Sequence, residues 1–191
     1  MRELDEARSW RRAANGDGDA FGELFDAYHP RVYRHALRLT GNTHDAEDVL
    51  AGAFLQLWQR RTSVRVVDGS VLPWLLVTTT NIALNQRRGL RRHRAFLDRL
   101  PRQEQRAEPA EDQALHHADL DVDPNLITSI RLLGHTDQQL LALVALEEYP
   151  LRAAADALGI SEQAARSRWQ RIRRGLAQNH TLDSLALAAE H

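Results

Sequence analysis

"PLRAAADALGISEQAARSRWQRIRRGL", residues 150–176, is the stretch whose reading decides this chain. A run of small and apolar residues from Leu151 to Leu158 meets a stop at Gly159. Ser161 then opens a second run carrying five arginines (166, 168, 171, 173 and 174) against a single acid, Glu162. Two helices joined by a tight, glycine-bearing turn form a helix-turn-helix. Wound at 100° per residue, Ala165, Trp169, Ile172 and Leu176 fall on one narrow stripe that must face a core. Gln163, Arg166, Ser167, Gln170, Arg171 and Arg174 fall on the opposite face, with Arg168 and Arg173 on its flanks. Arg, Gln and Ser are the donors that suit base edges in a major groove, and flanking arginines suit phosphates. A merely solvated face normally interleaves acids in i,i+4 pairs. This face has almost none, so a helix that reads duplex DNA is the expectation.

The rest of the composition narrows the field. At 191 residues there is room for one or two small domains. The net charge of −1 conceals an uneven distribution. Eight arginines lie between Arg87 and Arg106, the next seventeen residues hold six acids and no arginine, and the 162–174 run is basic again. Two basic patches around an acidic spacer suit a polyanion held at two places. All the basic side chains are Arg and none is Lys, which a GC-rich genome explains most simply. There is no cysteine, which excludes disulfides, zinc–thiolate sites and cysteine nucleophiles. His116–His117 lies in the acidic spacer, and His29, His35 and His44 lack metal-site spacing and carboxylate partners. No metal, no cofactor and no catalysis are expected. No apolar run approaches the roughly 20 residues of a membrane span, and the first residues lack a signal-peptide core, so a cytoplasmic protein is the expectation.

Along the chain the pattern is helical almost throughout, and the fold class expected is all-α: two small helical domains joined by a flexible acidic linker. Helices are expected over 4–14, over 19–39 with Pro30 kinking or splitting it, from a Thr43 cap to about 61, and from Pro73 onward. Strand-like alternation occurs only in "SVRVVDG", 63–69. Residues 1–100 make the first domain, 101–123 the linker, 124–178 the second domain and 179–191 a tail. The second domain opens with Asp123 as cap and Pro124 in the first turn, and Thr136 with Gln139 has the pattern of a capping box.

The helix from Pro73 carries a second stripe. Trp74, Thr78, Asn81, Asn85, Arg88 and Arg92 line one side, while Leu75, Leu76, Ile82, Ala83 and Leu90 line the other, toward the core. An aromatic, a hydroxyl, amides and arginines in one row suit single-stranded DNA, by stacking, edge hydrogen bonds and backbone charge. Trp74 taken alone is more often a core residue than a stacking platform. The helix over 44–61 crowds Asp45, Glu47 and Asp48 at its start and carries Val49, Leu50, Ala53, Phe54, Leu57 and Trp58. Two readings of it stand: a protein-docking surface, or ordinary core behind a helix-dipole cap.

Together these residues resemble the extracytoplasmic-function (group IV) sigma factors of bacterial RNA polymerase. "AFGELFDAYHPRVYRHALRLTGNTHDAEDVLAGAFLQLWQRR" resembles the first part of that family's region 2, and "PWLLVTTTNIALNQRRGLRR" the part that melts and reads the -10 element. "LLGHTDQQLLALVALEEYPLRAAADALGISEQAARSRWQRIRRGL" resembles region 4, which reads the -35 element. The resemblance implies that Asp45, Asp48, Phe54, Leu57 and Trp58 lie on or near the surface that docks core RNA polymerase. It implies that Trp74, Asn81 and Asn85 lie beside the non-template strand, with the 62–71 loop holding a flipped base. It implies that Arg166, Ser167, Gln170 and Arg171 contact the -35 duplex, the same four that the helical winding turns outward. Many relatives are also held by an anti-sigma factor. The chain departs at Ala51–Gly52, where the family usually has Gln-Glu in the polymerase-docking helix. The alternative reading is a stand-alone helix-turn-helix regulator of duplex DNA, which leaves the single-strand stripe and the docking helix without a purpose.

Overall fold

The computed structural model describes residues 3–97 and 124–189, and the described chain is all-helical. α1 (Glu3–Ala14), α2 (Gly18–Thr40), α3 (Thr43–Gln59) and α4 (Leu72–Leu97) form the first unit. α5 (Pro124–Leu132), α6 (His135–Leu141), a π-helical turn (Ala142–Leu146), α7 (Leu151–Leu158) and α8 (Glu162–Ala189) form the second. The expected linker and its Asp123 cap lie outside the described residues. α8 carries the backbone of the expected tail onward as helix to Ala189.

Local sequence sets the boundaries, with corrections to the expectations. α2 starts where Asp17 accepts from Ala20 N at 3.0 Å and passes through Pro30 without splitting. A proline removes one N–H from the ladder and strains one turn; here Leu24, Tyr28, Val32 and Ala36 seat the helix in the core on both sides of it. Thr43 is not the cap of α3. Asn42 is, its Oδ1 accepting from Asp45 N at 2.7 Å while its amide donates to the Asp45 carboxylate at 2.7 Å. "SVRVVDG" forms no strand; a tight turn with positive φ at Asp68 (49°) and Gly69 (79°) closes a single Val67–Ser70 bridge. The Thr136/Gln139 capping box does not form either. Gly134 is the N-cap of α6 without a side-chain bond, and the Gln139 side chain is used elsewhere.

α2, α3 and α4 pack mutually, with α1 against α2. Val32, Leu24, Ala53, Leu57, Leu75 and Leu76 fill the centre, each fully buried. At roughly 25 cal/mol per Å² of apolar surface removed from water, each such leucine contributes about 1.5–3 kcal/mol. Gly52, the departure noted above, sits against α4: a Cβ there would stand 3.3 Å from Ile82 Cδ1. A larger residue at this position would require the Ile82 side chain to shift by a few tenths of an ångström, so Gly52 fits a close α3–α4 approach.

The two units share one hydrophobic core. Leu140, Leu143, Ala154, Ala155, Ala165 and Ile172 of the second unit join the cluster that holds Leu24 to Leu76 of the first. α4 is the shared element, lying against α2 and α3 on one side and against α6, the π turn and α7 on the other.

Candidate nucleic-acid interface

The α7–turn–α8 element forms as its residues dictate. Gly159 takes a left-handed conformation (φ 68°) that ends α7, a geometry favoured for glycine at this position of a helix end. Ser161 Oγ accepts from Ala164 N at 3.2 Å and starts α8. Ala165 and Ile172 are buried and Trp169 and Leu176 half-buried against the core. Gln163, Arg166, Ser167, Gln170, Arg171 and Arg174 are exposed in one row, with Arg173 exposed and Arg168 half-buried at its edges. Two acids reach this face from the sides. Glu162 pairs with Arg166 at 2.8 Å, and Asp137 of α6 pairs with Arg168 at 2.8 Å and lies 3.7 Å from Arg171. Asp137 is the second acid beside this face, and sequence reasoning missed it because it comes from another helix. It holds the Arg168 guanidinium in place, leaving Arg171 more exposed beside it.

The α4 stripe fares differently. Asn85 and Arg92 are exposed, and Trp74 is half-buried against the core. Thr78 is only 5% exposed, so it is a packing residue and not part of an accessible row. Leu90, expected toward the core, is 56% exposed. Asn81 is occupied: its Oδ1 accepts from His135 Nε2 at 2.6 Å and from the Gln139 amide, both in the second unit. Arg88, itself exposed, donates to His135 Nδ1 at 3.1 Å. An arginine has no acceptor and an amide oxygen no donor. His135 is therefore neutral here, protonated on Nε2 and accepting on Nδ1. Its pKa is depressed accordingly, by burial first and then by the Arg88 charge.

On α3 the structure divides the five expected docking residues. Phe54 and Leu57 are core, buried beneath the helix, and do not reach a surface. Trp58 is half-buried between the Phe21 ring at 5.0 Å and the Arg61 guanidinium at 4.5 Å. Asp48 is exposed, and Asp45 is half-buried and partly taken by Asn42. Leu55, absent from the expected set, is 56% exposed on the outer side of α3 near Asp48 and Ala51. The winding held that signal, since Leu55 lies off the stripe of Ala46, Val49, Ala53 and Leu57.

Residues 24–93, which contain α3 and most of α4, match the Sigma-70 region 2 family. The chain is 30% identical over 161 residues to the RNA polymerase sigma factor CarQ of Myxococcus xanthus, across 84% of this chain and 88% of that one. The chain belongs to the extracytoplasmic-function sigma factors. It is also 33% identical over 170 residues to the ECF RNA polymerase sigma factor SigE of Mycolicibacterium smegmatis, covering 85% of this chain but 63% of SigE. In fold it is similar to CnrH, solved in complex with the cytosolic domain of CnrY (TM-score 0.59, 20% identity, 94% of this chain and 98% of that one). It is likewise similar to the sigma factor RpoE of Bartonella quintana, solved with the anti-sigma factor NepR (TM-score 0.54, 20% identity, 85% and 98%). Among the described residues of this sigma factor, no helix is long and apolar enough to cross a membrane, and no group of three His, Asp or Glu is placed to hold a metal.

Proposed function

We propose that this chain directs bacterial core RNA polymerase to its promoters, with α8 reading the -35 duplex and α4 trapping melted -10 bases. The observation that carries the reading is the exposed row Gln163, Arg166, Ser167, Gln170, Arg171 and Arg174 on the second helix of a helix-turn-helix. These side chains offer donors and acceptors of the kinds that base edges in a major groove take, and Arg168 and Arg173 flank them toward phosphates. On α4, Asn81 and Asn85 supply amide edges, Trp74 an aromatic face, and Arg88 and Arg92 backbone charge. Asp48, Leu55 and the half-buried Asp45 and Trp58 supply the acidic and apolar groups for polymerase docking. The protein performs no catalysis of its own in this scheme; it works in the cytoplasm, where its polymerase is, with an anti-sigma factor as the further partner that its relatives suggest.

The test is run-off transcription with sigma-free core polymerase from a high-GC host and a pool of genomic fragments, with and without the protein. Discrete start sites that depend on the protein are expected. A protein that shifts duplex DNA alone, while core neither binds it nor initiates with it, would overturn the reading in favour of a stand-alone regulator.

A further inference from the structure

The contacts that hold the second unit against the first converge on one carboxylate. Glu147, at the end of the π turn, has a side chain only 4% exposed although it belongs to a connecting segment. It receives Arg31 Nε at 2.9 Å, His35 Nδ1 at 3.0 Å and Arg38 Nη1 at 3.0 Å, all from α2. The same arginines take the carbonyls that the helix end leaves free: Arg31 donates to Glu147 O at 3.1 Å and Arg38 to Leu146 O at 3.0 Å. His35 is fully buried, and its other ring nitrogen lies 2.9 Å from Thr80 Oγ1 of α4, which itself donates to Leu76 O. One network therefore ties the π turn to α2 and α4.

The backbone around Glu147 is shaped for this contact. The π turn is a rare geometry that is frequent at functional sites. Glu148 follows with a positive φ of 58°, which costs a non-glycine residue conformational energy. The apolar core shared by the two units takes part in the closure, but it is incomplete beside Glu147. Between α4, α5 and the π turn it leaves a cavity of about 360 Å³ lined by Leu84, Leu126, Ile130 and Leu146. Leu146 beside it is 42% exposed.

What the closure covers is equally specific. His135 and Gln139 saturate the Asn81 oxygen, and Arg88 is drawn to His135. Arg65, on the loop between α3 and α4, donates to Asp156 O at the end of α7 at 2.9 Å. The outer face of α8 takes no part in these contacts.

We propose that Glu147 is a self-repressing latch. By occupying the basic face of α2, it holds the second unit over Asn81, so the free protein keeps its single-strand face shut while its duplex-reading face stays open. The functional meaning rests on Asn81 reading a base, as proposed above; the closure does not. A binding-competent state that is only fractionally populated weakens apparent affinity by that fraction, so releasing the latch strengthens strand binding and leaves duplex binding unchanged.

The absence of native cysteine makes a direct test available. Spin labels at Asp26→Cys on α2 and Arg152→Cys on α7, both exposed positions, report the separation of the units in the full chain. A single narrow distance is expected. Adding Glu147→Ala, or separately His135→Ala with Gln139→Ala, shifts it to longer and broader distances with helix content by circular dichroism retained. If Glu147→Ala loses helix, Glu147→Gln, which keeps the shape and removes the charge, is read in its place. An unchanged distance in the folded Glu147 variant, or a broad distribution before any change, overturns the latch. The second readout is binding to a labelled single strand carrying the non-template -10 sequence of a promoter found by run-off, where severalfold tighter binding is expected on release. Wider separation without that gain supports the latch and overturns the role given to Asn81.

Discussion

The outer face of α8 and the outer stripe of α4 have the same kind of residues and opposite situations. On α8, the six side chains that the helical winding turns outward are all exposed, while α5, α6 and α7 pack against the helix. On α4, the winding is right for Asn85 and Arg92, wrong for Thr78 and Leu90, and incomplete for Asn81, which the second unit covers. A helix packed on two sides has no single solvent face, and the second side is set by residues far away in sequence. In the proposed scheme this difference is functional: one reading face is presented and the other is held back.

The largest effect that sharpens this contrast is in the core. Leu76→Ala removes a fully buried side chain of the shared helix and should cost about 2–5 kcal/mol in a urea melt. Leu176→Ala on half-buried α8 should cost less; equal losses would mean that α8 is packed as tightly as α4. Next in size, Arg171→Ala should lower affinity for the -35 duplex by about 1–3 kcal/mol if its contact is bidentate. Arg173→Ala should instead reduce the salt slope of binding by about 1, as expected for one lost phosphate contact.

How far the sequence alone reached follows the same division. The helix-turn-helix, its glycine turn and the inner stripe of α8 are local features, fixed by spacing and by the residues at the turn. The π turn was not legible, because "ALVAL" reads as ordinary helix. Nor was Glu147, the first of two adjacent acids in "LEEYP", marked out until Arg31, His35 and Arg38 of α2 meet it across more than a hundred residues. Gln139 looked like half of a capping box, and only the approach of α4 gives its amide a better partner in Asn81. Phe54 and Leu57 failed as surface residues because burial in the first unit's core claims the apolar side of α3, leaving Leu55 outside.

A smaller effect comes from pH. The His135 pKa is depressed below its ordinary value of about 6.5 in the closed form. In an opened form, free of Arg88 and of burial, it returns toward that value and binds a proton more readily. The closed form therefore has its full stability above about pH 6.5 and loses this contribution as pH falls toward the depressed value. The spin-label distance should broaden on acidification through that range, and His135→Gln should remove this pH dependence. Smallest of all, Thr78→Val should leave strand binding unchanged, since the side chain is buried, whereas Asn85→Ala on the exposed row should weaken it.

The measurement that tests the account most directly compares Asn81→Ala with Arg171→Ala in polymerase holoenzyme on one promoter, scoring duplex binding by footprint and melting by permanganate reactivity of unpaired thymines. The account predicts that Arg171→Ala weakens the initial duplex complex, whereas Asn81→Ala preserves it and loses the melted bubble. Equal loss of duplex binding in both variants would contradict two separate reading faces.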